Sequence, residues 1–321
     1  MCILNVGTWL SGGITFMKRL RVGALAALAM TCAGAIWPQV ATADDAARPA
    51  APVVEAVQTA NITTANITVA AATLMPTAPP QMSKDCNSKL VAGDKYRRPL
   101  RGLRRAVREA RQPRVLAMGS SSTVGIGASR PANTYVAMLE DNLEFAFKGV
   151  DFDVVGRGMS GETAEGQSSR MQQTVEDVKP DLVLWQVGTN DALRHVDLDG
   201  FKNCLRRTLT WLEANKFDVM LVDPQYGENL VKDAFYEQVV AAVAEIAAEK
   251  HVLLVDRFEA MRQLANERGD SFYLSSDQLH LNDTGHRCMA EQLARAIVAG
   301  VLQADIDAGP GSSASRGQGS N

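Results

Sequence analysis

The chain has 321 residues, 46% of them hydrophobic, enough to bury one large core or two small ones. Thirty-three basic against 36 acidic side chains give a formal net charge of −3. That balance makes no overall electrostatic case for a nucleic-acid partner, which would favour a basic domain or a dense basic stripe.

The first feature along the chain is a targeting signal. Lys18-Arg19-Leu20-Arg21 follow Met17, an apolar stretch runs from Val22 to Trp37, and Ala41-Thr42-Ala43 fits a small-residue cleavage site. The stretch is short for a membrane span of ~20 residues. These residues predict a signal peptide within residues 1–43 and a periplasmic or secreted chain that begins near Asp44. An oxidising compartment allows cysteines to pair. Of five cysteines, Cys86, Cys204 and Cys288 lie beyond residue 43, so at least one stays unpaired. Packed thiols are the ordinary reading, Cys86 with Cys204 is a guess, and no Cys/His spacing marks a metal site.

Residues 44–82 are rich in Ala, Pro, Thr and Val and contain "ANITTANIT", with glycosylation sequons at Asn61 and Asn66. They read as a linker. A domain is expected over residues 83–304, and residues 305–321, which end in "GPGSSASRGQGSN", read as a disordered tail. Early in the domain, Arg97, Arg101, Arg104, Arg105 and Arg108 share a helical face opposite Leu100, Leu103 and Val107. A solvated face is the ordinary use of such a stripe, and a weak contact with an anionic surface is the alternative.

Strand-like runs then follow at Arg114–Met118, Phe152–Val155, Asp181–Val187, Asp218–Asp223 and Val252–Asp256. Helical periodicity separates them, over Thr134–Phe147, Ala164–Val178, Leu198–Asn215 and Leu230–Lys250, with a last helix from Asn282 to about Leu302. Five short apolar strands divided by helices predict an α/β fold with a parallel, doubly wound sheet covered on both faces. Sites in such sheets form at the carboxyl ends of the strands.

The loop after the first strand reads "GSSSTVGIGAS", Gly119 to Ser129. It is neither a P-loop nor a dinucleotide fingerprint: no Lys follows Gly125, and Arg130 stands where the third glycine should be. As a nucleophile loop it needs a base. Of four histidines, His251 opens a strand at its amino end, His195 follows the third strand with nothing beside it to orient it, and His286 lies in the last helix in a capping or surface role. His280 differs, because Asp277 three residues earlier can accept its Nδ1 proton and stabilise the imidazolium. Asn190 in "GTND" closes the third strand as a side-chain amide donor. "GRGMSGET" after the second strand lets a backbone N–H approach a substrate closely.

Together these blocks resemble the SGNH, or GDSL-like, hydrolase family from about Val115 to Leu302. The matching residues are Gly119-Ser120-Ser121-Ser122-Thr123, Gly158-Met159-Ser160-Gly161, Gly188-Thr189-Asn190-Asp191 and Asp277-Gln278-Leu279-His280. The resemblance implies a three-layer α/β/α sandwich with a five-stranded parallel sheet of flavodoxin-like topology. It also implies ester hydrolysis through an acyl-enzyme with no cofactor and no metal. Ser121 would be the nucleophile, His280 the base and Asp277 its partner, with Ser121, Gly161 and Asn190 forming the oxyanion hole. Ser120 departs from the family's usual aspartate, and a one-residue slip would promote Ser120 or Ser122. The expected substrate is an ester, first of all O-acetyl groups on carbohydrate, by hydrolysis or by transfer. A lysophospholipase or thioesterase, and a non-catalytic envelope polysaccharide-binding module on the same scaffold, are the alternatives.

Overall fold

The computed structural model describes residues 75–87 and 99–308. Strands β1 (Arg114–Gly119), β2 (Asp153–Gly158), β3 (Leu182–Gln186), β4 (Asp218–Val222) and β5 (Leu253–Val255) form one parallel sheet in the order β2-β1-β3-β4-β5. Val115 of β1 stands in register with Val154 of β2 on one side and Leu182 of β3 on the other. Chain direction across the sheet reverses at β1, which makes the space above β1 and β3 the switch point where such sheets bind ligands.

The inner strands β1, β3 and β4 are apolar over most of their length because both faces are covered, whereas the edge strand β2 carries Asp153 and Arg157. Val115, Ala117, Leu182 and Leu184 point into one core, shared with α1 (Arg101–Arg108), α3 (Tyr135–Ala146), α8 (Arg257–Arg268) and α9 (Asp283–Ala308). Leu116, Met118, Val183 and Trp185 point into the other, against α4 (Ala164–Val178), α6 (Leu198–Ala214) and α7 (Ala234–Glu249). This is the expected three-layer sandwich. Two short helices, α2 (Ser121–Val124) and α5 (Thr189–Leu193), follow β1 and β3 directly.

Several details differ from the sequence reading. Helix α7 starts at Ala234 rather than Leu230 because Asp233 caps it, its carboxylate accepting from the Phe235 N–H at 3.0 Å. Helix α8 has no counterpart among the predicted helices, although Asp256 followed by Glu259 marks its start and Asp256 accepts from the Glu259 N–H at 3.1 Å. Helix α9 runs to Ala308, beyond the expected end of the domain at residue 304. Residues 75–82, the end of the predicted linker, lie against the domain. Met75 and Met82 pack on the first core, and Arg295 of α9 donates to the Pro80 carbonyl at 2.9 Å. The signal sequence, the two sequons, Arg97 and residues 309–321 fall outside the described residues.

Cys86 pairs with Cys288 of α9, which corrects the guess of Cys86 with Cys204. Cys204 is a buried thiol outside the disulfide, on α6 on the other side of the sheet, where its Sγ donates to the Ala164 carbonyl. On α1, Leu103, Ala106 and Val107 turn inward, whereas Arg101, Arg104 and Arg108 all interact with other groups of the protein and form no free cationic stripe.

Candidate active site

Ser121 opens α2 at the carboxyl end of β1, where an N–H in the first turn of a helix has no partner within that helix. Its neighbours Ser120 and Ser122 are 6% and 2% exposed, while Ser121 is half-buried. Of the three serines, only the middle one is therefore not buried. Thr123 turns inward, its hydroxyl 2.7 Å from Tyr135 Oη, and anchors the loop to α3. Gly127 has φ +92°, and a Cβ there would overlap the Leu281 carbonyl oxygen. Its missing side chain lets the nucleophile loop lie against the turn that carries His280, a tighter reason than flexibility for Gly-Ile-Gly.

Gly161 follows β2 with φ +74°, a left-handed conformation that favours glycine, and turns the second block over the sheet edge. Asn190, one residue into α5, donates through Nδ2 to the Glu162 carbonyl at 3.0 Å, which ties the second and third blocks together. A carboxamide has two N–H donors, so the other remains for a ligand. Glu162 is in turn gripped by Arg170 at 2.8 and 2.5 Å. Asp191 is 3% exposed, and both its oxygens accept from the Ala164 N–H, at 3.0 and 3.1 Å. Burial pushes its carboxyl up to about 6, against backbone hydrogen bonds that pull it down.

The turn from Ser275 to His280 gives Asp277 two tasks. One carboxylate oxygen accepts from the N–H groups of Leu279 and His280 at 3.0 and 2.9 Å, and the other lies 2.6 Å from His280 Nδ1. Desolvation raises the Asp277 carboxyl, but the hydrogen bonds from the His280 ring and from the two backbone N–H groups outweigh it and bring the group down to about 2. The carboxylate is thus ionised wherever the imidazole can work. Two residues that the sequence analysis did not single out hold the same turn from the loop after β4. Gln225 donates to the Leu279 carbonyl and Asn229 donates to the Gln278 side chain, where Gln278 adopts φ +56°. Gln225 is buried, and Tyr236 Oη donates to its main-chain carbonyl at 2.7 Å.

The remaining histidines sort differently from expectation. His286 is neither a cap nor on the surface: it is fully buried, which lowers its basicity and keeps the ring neutral. Its Nδ1 accepts from the Tyr135 N–H at 3.2 Å, and its Nε2 then donates to the Ile126 carbonyl at 3.3 Å. His195 does have an orienting partner, since Nε2 lies 2.7 Å from Asp233 Oδ2 and the ring stacks on Phe235. His251 is an exposed turn residue with φ +51°.

The sheet order and the four blocks along its carboxyl edge place the chain among the SGNH-type serine ester hydrolases. More narrowly, the chain belongs to the non-GDSL lipase-like family, whose model matches residues 86–303. It is 27% identical to an acetylxylan esterase of Geobacillus stearothermophilus over 192 residues, 56% of this chain and 84% of that protein. It is 29% identical to esterase TesA of Pseudomonas aeruginosa over 144 residues, 44% of this chain and 68% of that one. The crystal structure of an acetylxylan esterase from Geobacillus stearothermophilus superposes with a TM-score of 0.50 at 25% identity, covering 58% of this chain and 94% of that one.

Proposed function

We propose that the protein is an exported serine esterase that removes O-acetyl groups from carbohydrate through an acyl-enzyme. The observation that carries the mechanism is the Asp277–His280 pair, because a carboxylate 2.6 Å from Nδ1 leaves Nε2 as the base. Ser121 Oγ attacks the acetyl carbonyl carbon as His280 Nε2 takes its proton, and the same proton goes to the departing sugar oxygen. Water then attacks the acetyl-serine with His280 again as base, which releases acetate and restores the hydroxyl. Through both steps the tetrahedral oxyanion is held by the N–H groups of Ser121 and Gly161 and by Asn190 Nδ2. Likeness to an acetylxylan esterase supports acetylated carbohydrate as the substrate, and a disulfide supports passage through an oxidising compartment.

A second reading, lipolysis of longer acyl chains, is favoured by exposed Val124, Ile126, Met159 and Leu193, which stand in or just beyond the first three blocks. Hydrolysis of 4-nitrophenyl acetate beside the octanoate separates the two. We expect acetate turnover by the full chain that is lost in Ser121→Ala and falls ~10²–10³-fold in Asn190→Ala. A preference for octanoate would favour lipolysis, and turnover that survives Ser121→Ala would refute the assignment of the nucleophile.

A further inference from the structure

Arg194 lies at the end of α5, its N–H donating to the Asn190 carbonyl at 3.1 Å, one helical turn beyond the oxyanion-hole asparagine. Side chains four residues apart share a helix face, so Asn190 and Arg194 project from the same side. An independent measure agrees: a Cβ built on Gly161 would stand 3.2 Å from Arg194 Nη2. The guanidinium therefore flanks the turn that supplies the second oxyanion donor. The buried Asp191 attracts it through space, while the hydrogen bonds of the acidic groups on these loops go elsewhere. Glu162 is held by Arg170, the buried Asp191 carboxylate faces the Ala164 N–H, and Asp233 pairs with His195. Arg194 itself is exposed.

We propose that Arg194 is a specificity-determining residue that receives a carboxylate carried by the substrate beside the scissile ester, so that the preferred substrates are acetyl esters of acidic saccharides. The proposal rests on the esterase reading above. A guanidinium is charged at every working pH, and its planar fork matches a carboxylate with two parallel hydrogen bonds. Placed one turn from Asn190, it fixes the sugar ring while the acetyl carbonyl enters the oxyanion hole. A neutral sugar offers the fork no charged partner.

The test compares 4-nitrophenyl acetate with 3-carboxy-4-nitrophenyl acetate, esters of the same acyl group that differ by one carboxylate, on the full chain and on Arg194→Gln and Arg194→Lys. Acetate release from an acetylated uronate oligosaccharide and an acetylated xylo-oligosaccharide provides a second pair. For the wild-type chain we expect the acidic member of each pair to have the higher kcat/KM, and the acidic-to-neutral ratio to fall about five- to tenfold in Arg194→Gln, mostly through KM, with partial recovery in Arg194→Lys. Added salt should erode the ratio in the wild type more than in Arg194→Gln. A ratio that does not move overturns the proposal, and so does an equal loss on both members, which would make Arg194 a support for the Gly161 turn. If the wild-type chain cleaves neither ester of either pair, the esterase reading itself fails and takes this inference with it; cleavage of both with an unmoved ratio removes the inference alone.

Discussion

Breaking the Cys86–Cys288 bond should weaken the whole domain, because it closes a loop of 202 residues. The chain-entropy relation gives about 5 kcal/mol at 25 °C for a loop of that length, as freedom withheld from the unfolded chain. Little else could replace it. Asp85 accepts from Arg268 and Arg287 at 3.0 Å each, but that carboxylate is half exposed and solvent screens both pairs. The Ser83 N–H to Glu291 bond at 2.7 Å and the Pro80 carbonyl bond to Arg295 each have one charged partner and contribute about 1.5–3 kcal/mol, but they do not restrict the unfolded chain. Urea unfolding of the chain with and without a phosphine reductant, followed by tryptophan fluorescence, to which the fully buried Trp185 contributes, measures the difference. With a slope of about 3 kcal/mol/M, the reduced chain should unfold some 1–2 M earlier, and Cys86→Ser with Cys288→Ser should match it without reductant. Oxidised and reduced midpoints that coincide would refute the reasoning, as would a peptide map that finds Cys86 unpaired.

Three other outcomes follow from the site. Because the Asp191 carboxyl is raised from 3.8 to about 6, the native state holds a proton that the unfolded state releases, so stability should fall as pH rises from about 4 to 6, by about 3 kcal/mol in all. Asp191→Asn should flatten that slope in urea titrations, and an unchanged slope would assign the pH dependence to another group. Gln225→Leu leaves the Leu279 carbonyl without its donor and should lower kcat about tenfold with little change in KM, since it loosens the His280 turn rather than the substrate pocket; a change in KM alone would count against this. Gly161→Ala forces a side chain into φ +74° and toward Arg194, and should lower kcat by tenfold or more while costing about 1–2 kcal/mol in thermal unfolding.

The legible parts of this molecule are those whose physics is local. Five strands and their spacers could be read from runs such as Leu182 to Gln186, because a buried parallel strand is apolar on both faces. Asp277 and His280 could be paired because three residues of turn bring them together. The choice among Ser120, Ser121 and Ser122 was not in the sequence, since it depends on which hydroxyl the loop turns outward once Thr123 is anchored on Tyr135. Gln225 and Arg194 were hidden for the same reason: one reaches the catalytic turn from 54 residues away, and the other matters only because α5 makes one turn beyond Asn190. The disulfide partner was missed because Cys86 and Cys288 meet on one face of the sheet while Cys204 sits on the other.

The amino end of α9 carries the His280 turn, and it also grips the loop that follows Ser121. Asp283 accepts from the Ser129 N–H and hydroxyl at 2.7 and 2.6 Å, and His286 reaches Ile126 and Tyr135. The loop after Ser121, the proposed nucleophile, and the turn that carries His280, the proposed base, are thus held by the same helix end. The loops after β2 and β3 are instead tied to each other, through Asn190 Nδ2 and the Glu162 carbonyl, so that a change in either one is felt at the other.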